Sequence, residues 1–204
     1  MMNKDKDINV MIDIETLGKK AGCSILSIGA TVFGTNDNIP REDFYVTIDA
    51  HSCLGLGLVE EADTVDWWRK QSPEARAEAF SGKLDIRTAL GKLYNYIKDI
   101  EAAFNVTVKV WANGANFDIP ILEAAYDLAA ISIPWRYSNV RCYRTLKALS
   151  TVDEVSFQGV KHNALADAMH QARNAVRFLA SLEKENAQEK YNIISNIESQ
   201  GREG

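Results

Sequence analysis

Strand-like segments come early in this chain and helical ones late, and that order limits the possible folds more than any other feature. Asn9–Glu15 alternates, with Val10, Ile12 and Ile14 on one face and Met11, Asp13 and Glu15 on the other. Ile25–Phe33 is a mostly apolar run, and Phe44, Val46 and Ile48 alternate with Tyr45, Thr47 and Asp49. A fourth segment sets Val106, Val108 and Val110 against Thr107, Lys109 and Trp111. Period-two patterning rich in β-branched and aromatic residues predicts four strands. Between the third and fourth, Ile86, Leu90, Leu93, Ile97 and Ile100 recur at helical spacing, which predicts an amphipathic helix over Asp85–Phe104. Ser72-Pro73 ahead of Glu74–Phe80 reads as a cap followed by proline at the first helical position. After the fourth strand, Ile121, Leu122, Ala125 and Leu128 form one stripe. A short strand near Asn139–Tyr143 follows. A longer stripe then runs through Ala164, Ala168, Ala172, Ala175, Leu179 and Leu182, and its small residues suit close packing on a sheet. Antiparallel strands followed by β–α alternation predict an α/β protein. Its mixed central sheet, antiparallel in the first three strands and parallel afterwards, is flanked by helices.

With 204 residues the chain has room for one domain, placed at 1–182, and a polar appendage at 183–204. Only Tyr191, Ile193, Ile194 and Ile197 are apolar in that appendage, which is either frayed or a short packing helix. Hydrophobic residues make up 46% and charged residues 25%, a globular mix that excludes wholesale disorder, collagen and coiled coil. No stretch approaches the roughly 18–20 apolar residues of a membrane span. Met1–Asp7 is polar, unlike a secretory signal. Cys23, Cys53 and Cys142 are odd in number and widely spaced, forming neither a disulfide framework nor a metal pair. The expected location is therefore cytoplasmic, where the acceptor pattern Asn105-Val106-Thr107 has no meaning. The net charge of −5 argues against broad coating of nucleic acid. It leaves room for a small site that holds phosphate through metal ions.

Three acidic signals point to such a site. Asp13 and Glu15 share a strand face, roughly 6.5–7 Å apart along it. Like charges so placed raise one another's pKa, and a divalent cation between them removes that penalty. A solvated strand face is the plainer alternative. Asp118, in Asn113–Pro120, opens the helix after the valine-rich strand and is either a metal ligand or an N-cap. In His162-Asn163-Ala164-Leu165-Ala166-Asp167, Asp167 falls in a first helical turn, where a carboxylate also suits the helix dipole. His162 is either structural or catalytic.

Taken together, the three resemble the DEDDh 3′–5′ exonucleases of the ribonuclease H-like superfamily, whose signature runs D-x-E, then D, then H-x4-D. Asp13 and Glu15 match the first motif, Asp118 the second, and His162 with Asp167 the third. Within that superfamily the chain is similar to the compact single-domain exonucleases of phages and bacteria, a group that includes a mycobacterial exoribonuclease. Asp13–Gly18, Ile25–Ala30, Trp67-Trp68, Tyr143–Leu146 and His162–Leu165 carry this closer likeness, which covers residues 9–182. The resemblance implies a ribonuclease H-like fold and a 3′–5′ exonuclease acting on single-stranded RNA or DNA with a free 3′ end. Nucleoside 5′-monophosphates would be released.

It also implies two metal ions on Asp13, Glu15, Asp118 and Asp167, with Asp13 bridging them and His162 as general base. All-oxygen ligation favours Mg²⁺ or Mn²⁺, whereas zinc would call for more His or Cys. Histidine, which titrates nearest neutral pH, suits the base. Substrate contacts are expected at Thr16, Leu17, Asn116, Phe117, Trp68 and Arg144. Trp67 and Trp68 point about 100° apart on a helix, so one packs and the other lies nearer the surface. Arg136, Arg141, Arg144 and Lys147 form an acid-free stretch that either tracks phosphates or is a solvated face. Many members of the family pair as homodimers, so the resemblance implies a homodimer, and the apolar residues of the tail are what this chain offers for that. Two other readings compete. The H-x4-D motif argues against an endonuclease cutting RNA–DNA hybrids on the same fold, and the complete signature argues against a degenerate binding module.

Overall fold

The computed structural model describes residues 8–34 and 42–200, the side chains of Tyr191 and of residues 193–200 excepted. Among them, five strands form one sheet in the order β3-β2-β1-β4-β5. These are β1 (Asn9–Thr16), β2 (Ile25–Phe33), β3 (Asp43–Thr47), β4 (Lys109–Ala112) and β5 (Val140–Cys142). β1, β2 and β3 pair antiparallel, and β4 and β5 are added parallel to β1. The sheet is mixed in the way the element order predicts.

Alternation along β1 divides the protein into two packed layers. Val10, Ile12 and Ile14 join a core with Leu90, Leu93 and Ile97 of α4 (Ile86–Phe104) and with Ile121 and Leu122 of α5 (Asp118–Ala129). On the opposite face Met11 meets Tyr143 and Leu146 of α6 (Tyr143–Leu149). Ala168, Ala172, Ala175 and Phe178 of α7 (Ala164–Gln200) complete that layer. Asp13 and Glu15, in phase with Met11, therefore face α7. A third cluster of Leu17, Leu26, Trp68 and Ala79 closes one end, beneath α2 (Ala62–Arg69) and α3 (Pro73–Ala79).

Small residues bring α7 onto the sheet, and the closest approach is at Gly29, which lies opposite Asp13 in the β1–β2 register. A Cβ on Gly29 would fall 2.2 Å from the backbone of Ala164 and Leu165, and backbone cannot step aside. Gly29→Ala should therefore push the first turn of α7, with Asp167, away from β1. The expected cost is about 1–3 kcal/mol, the scale of core overpacking. A thermal melt no lower than that of the unaltered protein would contradict this.

Most element ends follow local chemistry readable in the sequence. Ser72 accepts from the Ala75 N–H ahead of Pro73, and Asp85 accepts from the Arg87 and Thr88 N–H groups at the start of α4. The fourth strand begins three residues later than its alternation predicts. Asn105 takes a left-handed conformation (φ 51°) and ends α4. The Val106 N–H then donates to the Glu101 carbonyl and the Val108 N–H to the Glu101 carboxylate, so this stretch closes the helix. Asp49, expected in the third strand, instead caps α1 (Ala50–Leu56) by accepting from the His51 N–H at 3.0 Å. α7 continues unbroken past Leu182 to Gln200, with residues 183–190 exposed. Among the described residues no helix is long and apolar enough to cross a membrane.

Candidate active site

Asp13 and Glu15 reach the site from the C-terminal end of β1, where the β1–β2 register shifts between Glu15 and Thr16. β4 pairs with β1 only over Asn9–Met11. Beyond that point the Ile14 N–H donates to Asp118 Oδ1 at 3.3 Å, which ties the second acidic element to the first. The plain N-cap reading of Asp118 does not hold, because Phe117 occupies the cap position and Asp118 is the first residue of α5. At the start of α7, Asn163 Oδ1 accepts from the Ala166 N–H at 2.9 Å, which makes Asn163 the capping side chain. That frees Asp167 to face β1, and its Oδ2 accepts from the His162 N–H at 3.1 Å. His162 needs a left-handed backbone (φ 63°) to make this turn.

Ligand atoms of Asp13, Glu15 and Asp167 lie within 4.8 Å of one another. Asp118 stands beside this trio, and after burial its charge is the strongest influence raising the Asp13 carboxyl well above the usual range. Burial, then Asp167 and Asp118, push Glu15 up to about 8. Burial also lifts Asp118 to about 7, against its hydrogen bonds and the Arg144 charge. Asp167 is raised by burial as well, with His162 pulling the other way. Four carboxylates sharing a buried volume either hold protons or take up cations. A hard, oxygen-only donor set of this kind fits Mg²⁺ or Mn²⁺.

Beside the cluster opens a cleft of about 430 Å³ whose lining includes Glu15, Thr16, Thr64, Trp67, Lys70 and Phe117. The two tryptophans divide as the helical geometry requires. Trp68 is 1% exposed, and its indole N–H donates to the Thr16 carbonyl at 2.9 Å, while Trp67 is 41% exposed. His162 sets its ring edge-on to Trp67 at 4.9 Å and to Trp68 at 6.1 Å, at the mouth of the site. Leu17 is buried with Leu26 and Trp68, and Asn116 is exposed next to Phe117. In the basic stretch, Lys147 pairs with Glu154 and Arg141 bonds the Ser138 and Val140 carbonyls. Arg144, bonded to the Asn113 carbonyl, is the one whose charge acts on Asp118.

Two residues of the site escape the sequence reading. Gln171 donates to Asp13 Oδ1 at 2.7 Å, and its spacing of four from Asp167 was a usable signal. Thr64 lines the cleft with a buried hydroxyl that has no partner among the described residues. Nothing in the local pattern marks it.

Solved structures of nucleases share this fold. The nuclease domain of 3′hExo, a DEDDh family member bound to rAMP, superposes with a TM-score of 0.61 at 14% identity, over 86% of this chain and 92% of that one. E. coli exonuclease I in complex with a dT13 oligonucleotide gives 0.55 at 13% identity, over 92% of this chain and 43% of that one. These likenesses are of fold, which is ribonuclease H-like. An exodeoxyribonuclease of Enterobacteria phage T4 is 28% identical over 124 residues, 55% of this chain and 52% of the phage protein. The match thus spans about half the length of that relative. Residues 8–179 match the family described as the 3′-5′ exoribonuclease Rv2179c-like domain. That match runs from just ahead of β1 into the last helix and takes in all four carboxylates, and the chain belongs to this family.

Proposed function

We propose that the protein is a metal-dependent 3′–5′ exonuclease that hydrolyses single-stranded RNA or DNA from a free 3′ end and releases nucleoside 5′-monophosphates. The observation that carries this reading is the convergence of Asp13, Glu15 and Asp167 within 4.8 Å beside Asp118. Asp13, Glu15, Asp118 and Asp167 would hold two Mg²⁺ or Mn²⁺ ions, which would supply charge stabilisation for the attacking and departing oxygens. His162 takes the proton of the attacking water as its oxygen bonds to phosphorus. The bond from phosphorus to the 3′ oxygen of the preceding nucleotide breaks, and that oxygen takes a proton from solvent to become the new 3′ hydroxyl. Trp67, 41% exposed, rather than the buried Trp68, is the tryptophan available for stacking on a base, a contact worth about 1–3 kcal/mol. A raised KM for Trp67→Ala would register it. Lys70 in the cleft and Arg144 near Asp118 give phosphates local cations on a chain of net charge −5.

End-labelled RNA and DNA of matched sequence, incubated with Mg²⁺, with Mn²⁺ and with chelator, test this reading. Stepwise shortening from the 3′ end that needs metal is expected, with circular strands left intact. Cleaved circles would favour the hybrid-endonuclease reading, and no turnover in any metal would leave a binding module.

His162→Ala should cut the turnover rate by roughly 10²–10⁴, the usual scale for a general base. The stabilisation by metal should persist in this variant. A normal rate at pH 7.5 would remove the base from His162.

A cytoplasmic location and a homodimer belong to the same proposal. The apolar tail residues Tyr191, Ile193, Ile194 and Ile197, which would contribute to pairing, have side chains outside the described residues. Light scattering should return twice the chain mass, and a clean monomer at micromolar concentration ends the dimer.

A further inference from the structure

Gln171 is 5% exposed on the face of α7 that meets β1. Its amide nitrogen gives a hydrogen to Asp13 Oδ1 at 2.7 Å, across a sequence separation of 158 residues. Its carbonyl oxygen is buried and accepts from nothing among the described residues. With Asp13 ionised for metal, turning the amide over would set that carbonyl against the carboxylate, acceptor on acceptor, so the metal-ready site permits one orientation. A hydrogen bond to one oxygen of Asp13 restricts rotation of the carboxylate and leaves the other oxygen unclaimed by Gln171. The carbonyl needs a donor, and a carboxylate that has ionised to bind metal can only accept. A hard divalent ion entering the cluster brings donors with it, because Mg²⁺ keeps several of its waters.

We propose that Gln171 is a positioning residue of the carboxylate centre. Its N–H holds Asp13 in place for metal, and its unpartnered carbonyl accepts a hydrogen bond from water carried by the ion. The proposal rests on the metal-dependent reading above. Side chains that orient metal ligands in this way typically change metal affinity by about 10–100-fold when removed.

Calorimetric titration with Mn²⁺, alongside thermal melts in chelator, tests it without recourse to activity. Gln171→Met keeps an unbranched side chain of similar length and removes both hydrogen-bonding groups. It should weaken Mn²⁺ binding by about 10–100-fold. Gln171→Asn, which withdraws the amide by one methylene, should weaken it in the same direction and serves if the Met variant does not fold. Asn174→Leu is the control. It deletes another buried amide on α7, one that bonds the Val155 N–H and the His170 carbonyl. This control should melt earlier and bind Mn²⁺ as the unaltered protein does. Binding within about twofold of the unaltered protein in a folded Gln171 variant overturns the proposal, as does equal weakening in the control. Failure of the unaltered protein to bind Mn²⁺ would instead remove the metal-dependent reading itself.

Discussion

Asp13→Asn is expected to abolish hydrolysis, to erase the stabilisation by Mg²⁺, and yet to melt at a higher temperature than the unaltered protein in chelator. These three effects have one physical source. Asp13 is buried and faces the charges of Asp118, Glu15 and Asp167, each of which raises its carboxyl. Asparagine keeps the shape and an oxygen to accept from Gln171 but removes the charge that the other three carboxylates oppose. The metal-free fold therefore loses a repulsion and keeps its packing. With metal present the balance reverses, since the proposed site loses one of its ligands. A surface aspartate would show none of this pattern, because exposed charges contribute little. Melts in chelator and in Mg²⁺, with a nuclease assay on the same preparation, check it. A variant that still gains stability from Mg²⁺ and still turns over would rule out a bridging Asp13.

What the sequence reveals here depends on whether the signal is local. β2 is legible as a continuous apolar run, and the helix α4 as a continuous periodic pattern with its own boundary chemistry, the Asp85 cap. α1 is not, since Ala50–Leu56 contains a glycine and no apolar stripe, and its cap falls on a residue that alternation assigns to a strand. The acidic residues could be picked out by motif and by their positions on a strand face and at helix starts. Their convergence depends on long-range register: Gly29 opposite Asp13, and Asp118 reaching the Ile14 N–H across 104 residues. Composition misleads in the basic stretch, where Lys147 finds Glu154 across a loop. Which tryptophan is buried also follows from tertiary packing, since adjacent helical residues differ only in the side they present. The Thr64 hydroxyl stands unpartnered because of what α2 packs against, a fact no local pattern carries.

Without metal, the protein should lose stability as pH rises from about 5 to 7, and Mg²⁺ should reverse the trend. The folded state holds Glu15 at about 8 and Asp118 at about 7, against ordinary values of 4.5 and 3.8. Both are raised mainly by burial. Between the unfolded and folded values the native chain carries protons that the unfolded chain has released, so the slope of stability with pH is negative. Each excess proton contributes about 1.4 kcal/mol per pH unit, and Asp13 and Asp167 shift in the same direction. The cluster titrates as a unit, so the macroscopic loss belongs to the group and amounts to several kcal/mol of a total near 5–15. Other groups act outside this window. Glu154 is held low, its burial outweighed by Lys147 and Tyr143, and its contribution is complete by about pH 4.5. The Cys142 thiol is brought down to about 7 because hydrogen bonds from Thr145, Ala115 and Gly114 outweigh its burial. It adds stability only as pH rises above about 7, and Cys142→Ser would remove that complication. Divalent metal requires the ionised carboxylates, so its stabilisation should grow with pH over the same range. At a hundredfold excess over its dissociation constant it is worth about 2.7 kcal/mol. For a chain of this size that is a rise of roughly 5–10 °C in Tm. Asp118→Asn should flatten the slope in chelator and shrink the rise with Mg²⁺. Melts at pH 5, 6 and 7, in chelator and in Mg²⁺, measure all of these quantities. A chelator series that stays flat or rises with pH, or a Mg²⁺ effect that does not depend on pH, would show that these carboxylates are not held against one another as the fold places them.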